Sequence, residues 1–329
     1  MSAAAAIFVA AAIVFGLVDP RGDFGTGIFP LVVRDTRAEK MQLFDAYQQH
    51  QSIDGLVIGS SRSMKLAPSY LAERTGLRFF NFGVDNARAE DYLAIERLVR
   101  EHGASPRLVI IGLDLEALHD DDEPDSEFLK DAAFRRSVGG YDDRWSTLRA
   151  YKRAYTVNYA RDALLSMRLA LGSTRRPRYY FEPDGRLRDV STEDQRARGE
   201  PVFDERLSAC LDIYVQRFEK MTTLSSRRLS YLERTIAEVR NSGGRILIWL
   251  TPVHPLTIAR LESFTRYRKL HREAVAYLER LRATPGVEVR DLSDPDLFGG
   301  AETEEWDDCA HPDDHEESRI AARLVATLR

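Results

Sequence analysis

Two short segments of the chain carry residue types that together could perform acyl transfer. Near the C-terminus, Asp308 and His311 stand three residues apart, so a carboxylate can reach an imidazole within one turn. Near the N-terminus, Ser61 follows the apolar run 55–59, where a strand would give way to a helix. A serine, a base and an acid that orients the base are the parts of a covalent ester mechanism. The two segments lie about 250 residues apart, so only a fold can bring them together.

Simpler interpretations of the same residues exist. A serine at the start of a helix is usually an N-cap, and Ser60 and Ser63 are competing hydroxyls beside Ser61. A loop histidine flanked by aspartate, such as His311, is often merely solvated. His254 also ends an apolar run and is an alternative base.

A metal site is a further interpretation of the C-terminal segment. His311 and His315 are four residues apart, a spacing at which two histidines on one helix often bind zinc. Pro312 breaks the helix between them, which argues against this site. We therefore expect neither a metal nor a cofactor. The carboxylates that would complete such a site are Asp308, Asp313 and Asp314.

Three further residues follow predicted strands and could bind an oxyanion or the substrate. Gly83 and Asn86 could donate backbone or side-chain N–H groups, although a strand-end turn with Asn86 capping the next helix is the simpler interpretation. Asp114 could cap a loop or orient the site. Preorganised donors of this kind stabilise the charge that develops on a carbonyl oxygen.

Apolar runs alternate with helical patterns over much of the chain. Five short, mostly apolar runs are typical of buried strands, which predicts a three-layer α/β/α fold with a five-stranded parallel sheet. Functional groups in such sheets gather at the carboxyl ends of the strands, where Ser61, Gly83 and Asp114 stand. The predicted strands are 55–59, 78–83, 107–112, 244–250 and 287–292, and the predicted helices are 37–50, 66–75, 89–101, 224–241, 258–282 and 314–328.

The alternation is interrupted between about 115 and 220. We interpret this stretch as a mainly helical insertion, with a hairpin around 183–185, inside a domain that spans 51–329.

Residues 1–18 are apolar and uncharged and just reach the length of a transmembrane helix, so they predict a membrane anchor, followed by a juxtamembrane segment at 19–50. A cleaved signal peptide and a buried helix are the alternatives. The first basic residues all follow the apolar run, which by the positive-inside rule argues weakly against export of the body.

Composition excludes several classes of protein. The net charge of −5 argues against a nucleic-acid partner, because binding to a phosphate backbone depends on positive charge. Two cysteines, Cys210 and Cys309, exclude a disulfide framework and a cysteine-rich zinc site. The sequence does not decide whether these two cysteines form a disulfide or whether Cys309 is a free thiol that fills a small space beside Asp308.

Taken together, these blocks resemble the SGNH (GDSL-like) hydrolase superfamily, and more narrowly its membrane-anchored members, such as the alginate O-acetylation proteins and the D-alanyl transfer protein of teichoic-acid synthesis. The resemblance covers 55–60, 78–115 and 244–329, and leaves the insertion out. Asp114 departs from it, because the superfamily has an asparagine there, and Asn86 stands where a second-block glycine is usual. The matching blocks are Gly59-Ser60-Ser61-Arg62, Asn81-Phe82-Gly83-Val84-Asp85-Asn86, Ile111-Gly112-Leu113-Asp114 and Asp308-Cys309-Ala310-His311-Pro312.

The resemblance implies a flavodoxin-like SGNH fold and an acyl-ester hydrolase or O-acyltransferase. Ser61 would be the nucleophile, His311 the base and Asp308 its partner, with Gly83 in the oxyanion hole. It also implies a cell-surface carbohydrate or glycopolymer as substrate, an extracytoplasmic location and a membrane-bound acyltransferase as partner. Because Asp114 cannot donate a hydrogen bond unless protonated, a catalytically weak scaffold or binding component of a polysaccharide-modifying assembly is the alternative, and metal-dependent hydrolysis is a third hypothesis.

Overall fold

The computed structural model describes most of the chain. The described residues are 13–32, 34–121, 124–141, 152, 154–173, 179–200, 204–300 and 305–326. Residues 1–12 of the predicted anchor lie outside these ranges. No helix among the described residues is both long and apolar enough to cross a membrane.

Helices and strands alternate at both ends of the chain, as the apolar pattern predicts. Short 3₁₀ turns lie at Ser61–Ser63, Leu115–Leu118 and Pro295–Leu297. The helices and strands, in chain order, are α1 (Thr36–His50), β1 (Gly55–Gly59), α2 (Pro68–Thr75), β2 (Phe79–Asn81), α3 (Ala89–Glu101), β3 (Leu108–Leu113), α4 (Ser126–Lys130), α5 (Ala132–Val138), α6 (Val157–Ala170), β4 (Tyr179–Phe181), β5 (Leu187–Asp189), α7 (Val190–Ala197), α8 (Asp204–Lys220), α9 (Ser226–Asn241), β6 (Arg245–Leu250), α10 (Pro255–Phe264), α11 (Tyr267–Arg282), β7 (Val287–Asp291) and α12 (Asp314–Val325).

Five strands form one parallel sheet in the order β2-β1-β3-β6-β7. In sequence order this is 2-1-3-4-5, the flavodoxin-like order of doubly wound sheets. β1 and β3 are buried on both faces, which explains why their sequences are apolar without alternation. The fold therefore confirms the predicted α/β class and the predicted five-stranded parallel sheet.

Helices cover both faces of the sheet. Leu56 and Ile58 of β1 pack in a cluster with side chains of α1, α3, α9 and α11. Val57, which points the other way, packs in a second cluster with side chains of α2 and α12. Burying these apolar side chains provides about 25 cal/mol per Å² of apolar surface removed from water. The two clusters hold the carboxyl ends of β1, β3 and β6 in one rigid row.

One predicted helix is divided in the structure. The pattern over 258–282 predicts a single helix, but α10 ends before Thr265, which has an extended backbone, and α11 begins at Tyr267. The Thr265 hydroxyl donates to the Leu261 carbonyl at 2.7 Å and accepts the Tyr267 N–H at 3.1 Å. Threonine competes in this way with helical backbone hydrogen bonds, and it ends the first helix here.

The chain between β3 and α9 contains helices and the predicted hairpin, β4–β5. This hairpin is antiparallel, with Phe181 opposite Leu187. Its turn includes Gly185, whose φ is +85°. A Cβ atom at Gly185 would lie 2.1 Å from the Asn81 carbonyl oxygen, so glycine is required for the turn to pack against β2.

Candidate active site

Ser61 lies directly after β1, in the 3₁₀ turn at the carboxyl edge of the sheet. Its two competitors are elsewhere engaged. Ser60 is buried, and its hydroxyl caps the turn by accepting the Arg62 N–H at 3.2 Å. Ser63 is fully buried against the sheet: a Cβ atom at Gly112 would lie 1.9 Å from its hydroxyl oxygen. Ser61 is therefore the most accessible hydroxyl of this turn.

His311 and Asp308 complete a continuous hydrogen-bonded chain with Ser61. The Ser61 Oγ lies 2.8 Å from the His311 Nε2. The His311 Nδ1 lies 2.8 and 2.9 Å from the two carboxylate oxygens of Asp308. Asp308 Oδ1 also accepts the backbone N–H groups of Ala310 and His311, at 2.8 and 2.9 Å. The structure thus brings together the three residues that the sequence singled out, in the arrangement that activates a serine.

The charges of His311 and Asp308 shift the pKa of each other. Burial lowers the pKa of His311, but the charge and hydrogen bond of Asp308 outweigh it, so the pKa of His311 lies above its ordinary value. Burial likewise raises the pKa of Asp308, but His311 and the two backbone N–H groups hold that pKa well below its usual range. Asp308 is therefore an anion that stabilises the imidazolium formed when His311 accepts a proton.

This balance predicts a pH dependence. His311 must be neutral to accept a proton, so activity should fall as the pH drops through a pKa that lies above 6.5. In Asp308→Asn the stabilising charge is lost, so the midpoint should move to lower pH while kcat falls by about 10⁴-fold. The measurement is the pH profile of kcat/KM for p-nitrophenyl acetate. A midpoint that stays in place or rises in the variant would show that Asp308 does not set the pKa of His311.

Gly83, the predicted oxyanion donor, has another hydrogen-bond partner in this structure. Its buried N–H donates instead to the Asn81 side-chain oxygen at 2.9 Å. The Asn81 amide group in turn donates to the carbonyl oxygens of Ser63, Met64 and Leu66 at 2.8–3.2 Å. Asn81 thereby ties the second loop to the nucleophile turn. Sequence reasoning included Asn81 in a motif but assigned it no role.

Asn86 is a residue of the second loop that faces the site. It lines the same cavity as Ser61, and its φ of +48° is in the left-handed region. Asparagine is among the few non-glycine residues that adopt this conformation at low cost. This explains how Asn86 stands where a glycine is usual, and it leaves Asn86 as a candidate donor to the oxyanion.

Asp114 is buried in the lining of the cavity that Ser61 also lines, and it is paired with a cation that sequence reasoning missed. Its Oδ1 accepts the Thr251 hydroxyl at 2.6 Å and lies 3.4 Å from the Arg62 guanidinium. Arg62 also donates to Glu116 and to the Tyr214 hydroxyl, both at 2.6 Å. Burial raises the pKa of Asp114 and Arg62 opposes the rise, leaving it above the ordinary value. A buried arginine inside a Ser-rich turn gives no periodic signal, which is why only the structure shows this pair.

Cys210 and Cys309 form a disulfide between α8 and the C-terminal loop. Cys309 is therefore not a simple filler. It lies between Asp308 and His311, and the disulfide closes a loop of 99 residues in sequence separation. The Cys309 carbonyl also accepts the Thr257 hydroxyl at 2.7 Å and the His254 N–H at 3.1 Å. This part of the chain is held at several points around the candidate base.

The alternative base and the metal hypothesis find less support in the described residues. The His254 Nδ1 accepts the Leu256 N–H at 3.1 Å as the cap of α10, and its ring packs against Trp306. His315 is exposed, and Asp313 caps α12. Within the described ranges, the side-chain groups close enough to share a metal ion do not combine His311 with His315.

Two cavities meet at Ser61. The first, the polar cavity, has a volume of about 330 Å³ and is lined by Asn86, Asp114 and residues of α8. The second, the hairpin cavity, has a volume of about 200 Å³ and is lined by His311, Asp308 and the β4–β5 hairpin. Ser61 belongs to both linings. A reacting carbonyl at Ser61 would therefore have separate spaces for its two substituents.

Comparisons with known proteins add little to what this geometry shows. No protein-family model matches the chain, and no curated protein matches it. Among solved structures, the chain is similar to a proposed platelet activating factor from Streptococcus pneumonia, with 12% sequence identity, a TM-score of 0.40 and coverage of 89% of this chain and 94% of that chain.

Proposed function

We propose that this protein is a serine-dependent acyl-ester enzyme of the SGNH type, a hydrolase or O-acyltransferase that acts on a cell-surface carbohydrate. The observation that carries the proposal is the chain from the Ser61 Oγ through His311 to Asp308, with contacts of 2.8 Å at each end. Hydrogen bonds of this length allow His311 to accept the serine proton as the oxygen attacks a carbonyl.

The reaction has two steps. The Ser61 Oγ bonds to the acyl carbon, its proton passes to the His311 Nε2, and the tetrahedral oxyanion collapses as the leaving alcohol takes that proton. Water or a sugar hydroxyl then gives its proton to His311 and attacks the acyl-enzyme, and the released Ser61 Oγ takes that proton back from His311. Hydrolase and transferase differ in which of these acceptors enters. Asp308 stays ionised throughout and holds the imidazole in orientation.

The proposal includes a membrane anchor at 1–18, a body outside the cytoplasm and a membrane-bound acyltransferase as a partner that supplies acyl groups. The apolar N-terminal sequence supports the anchor. The Cys210–Cys309 disulfide supports the location, because disulfides persist in oxidising compartments and are rare in the cytosol.

The test is to treat the full chain with a fluorophosphonate, which reacts with activated serines, and to find the adduct by peptide mass spectrometry. We expect one adduct, on Ser61. Absence of any adduct in protein shown to be folded by circular dichroism, or an adduct on Ser60 or Ser63, would overturn the proposal.

A second candidate function, a catalytically weak scaffold of the same assembly, is favoured by the carboxylate of Asp114 in the polar cavity. A carboxylate near a developing oxyanion opposes it, whereas a single well-placed amide donor contributes about 10²–10³-fold to kcat. The two functions differ in what Asp114 does to the rate.

We expect Asp114→Asn to raise kcat for p-nitrophenyl acetate by about tenfold. The amide oxygen can still accept the Thr251 hydroxyl, and Arg62 keeps Glu116 as a partner. Asp121→Asn is the matched control, because Asp121 is a carboxylate at the rim of the same cavity. An unchanged or lower rate in Asp114→Asn, with unchanged melting temperature, would show that the carboxylate does not oppose the reaction.

A further inference from the structure

The hairpin cavity lies on the side of Ser61 from which an alcohol must leave or enter. In the proposed reaction the His311 Nε2 gives its proton to the leaving oxygen, so that oxygen must lie near His311. His311 and Asp308 line the hairpin cavity, whereas Asn86 and Asp114, the candidate oxyanion residues, line the polar cavity. The alcohol portion of the ester therefore belongs in the hairpin cavity and the acyl portion on the polar side.

The walls of the hairpin cavity differ in chemistry. One wall is apolar and aromatic, and consists of Met64, Tyr179, Phe181 and Leu187. The lining also carries carboxylates, of which Asp307 is paired with Lys65 and Asp308 with His311. Asp85 also lines this cavity and offers carboxylate oxygens that accept hydroxyl hydrogens. A lining that combines apolar and aromatic side chains with carboxylate acceptors matches a sugar ring, which has C–H groups on its faces and hydroxyls around its edge.

The aromatic wall is held rigidly beside the nucleophile turn. The Leu187 N–H donates to the Met64 carbonyl at 2.8 Å, and the Asn81 N–H donates to the Asp184 carbonyl at 2.8 Å. Lys40, which is fully buried, donates to the carbonyls of Asn81 and Gly185 and lies 4.1 Å from the centre of the Phe181 ring. A preformed wall binds a ligand without the entropic cost of ordering a loop.

Resting on the proposed function, we infer that the hairpin cavity is the subsite for the alcohol portion and that it binds an uncharged sugar, with Tyr179 and Phe181 against the ring and Asp85 accepting its hydroxyls. A uronate or phosphate-bearing sugar is disfavoured, because the lining carries more carboxylates than the two cations Arg62 and Lys65, and like charges brought together repel.

The test is to measure, by isothermal titration calorimetry, the binding of neutral hexose tetrasaccharides and of tetragalacturonate to the full chain carrying Ser61→Ala. A neutral tetrasaccharide should bind at least tenfold more tightly than tetragalacturonate, and Tyr179→Ala should weaken that binding about tenfold. Tyr180→Ala is the matched control, because neighbouring residues of a strand point to opposite faces and Tyr180 does not belong to the cavity lining. It should change affinity less than twofold.

Three results would overturn the subsite: no neutral tetrasaccharide binds, tetragalacturonate binds as tightly, or Tyr180→Ala weakens binding as much as Tyr179→Ala. These outcomes are separate from a failure of the proposed function, which would appear as missing fluorophosphonate labelling of the unsubstituted chain. Binding of the neutral sugar without labelling would keep the subsite and remove the acyl-enzyme step.

Discussion

Replacing Ser61 with alanine is expected to lower kcat for p-nitrophenyl acetate by about 10⁴-fold or more, and His311→Ala should have a similar effect. Ser61 supplies the oxygen that carries the acyl group, and without His311 nothing within hydrogen-bond distance in the described structure accepts its proton. The two residues act as one unit, so Ser61→Ala together with His311→Ala should be no slower than either single variant. The measurement is steady-state turnover with each variant.

His315→Ala is the matched control for this experiment. His315 lies four residues after His311, is exposed, and has Glu305 rather than Ser61 near its ring. Its removal should change kcat less than twofold. If His311→Ala loses no more activity than His315→Ala, the hydrogen bond to Ser61 is not part of a catalytic step and the scaffold function gains support. If the two losses at Ser61 and His311 multiply in the double variant, the residues act independently.

The sheet was predictable because its strands are buried on both faces. The runs at 55–59, 107–112 and 244–250 differ from the observed strands by at most one residue at each end. A doubly covered parallel strand must be apolar throughout, and few other structures require such a pattern. Functional groups in a parallel sheet gather at the carboxyl ends of its strands, which explains why Ser61, Asp308 and His311 could be linked from the sequence.

The oxyanion side of the site was harder to predict. Gly83 matches a motif, yet its N–H is used by Asn81, a long-range consequence of how the second loop packs on the nucleophile turn. The pairing of Arg62 with Asp114 could not be predicted, because the carboxylates that Arg62 contacts lie more than 50 residues away in sequence. The same holds for Cys309, whose partner is set by where α8 lies. Local patterns identify elements, whereas these pairings exist only after the elements pack.

Reducing the Cys210–Cys309 disulfide is expected to lower kcat by about 10²-fold and the free energy of unfolding by about 2–5 kcal/mol. The stability is lost because the disulfide closes a long loop and so restricts the unfolded chain. The activity is lost because Cys309 stands between Asp308 and His311, and a displacement of about 1 Å at the base is enough to slow catalysis by this factor. The measurements are turnover and urea unfolding, with and without dithiothreitol.

Cys210→Ala separates the disulfide from other effects of the reductant. This variant leaves Cys309 in place, so its turnover should already be as low as that of the reduced protein, and dithiothreitol should not lower it further. Turnover must be measured well below the melting temperature, so that a slower reaction reports displacement of His311 rather than unfolding. Full activity in protein whose two thiols react with Ellman's reagent would show that the other contacts of this loop, including the Thr257 hydroxyl on the Cys309 carbonyl, suffice to hold the base. In that case the disulfide would stabilise the fold without positioning the reaction.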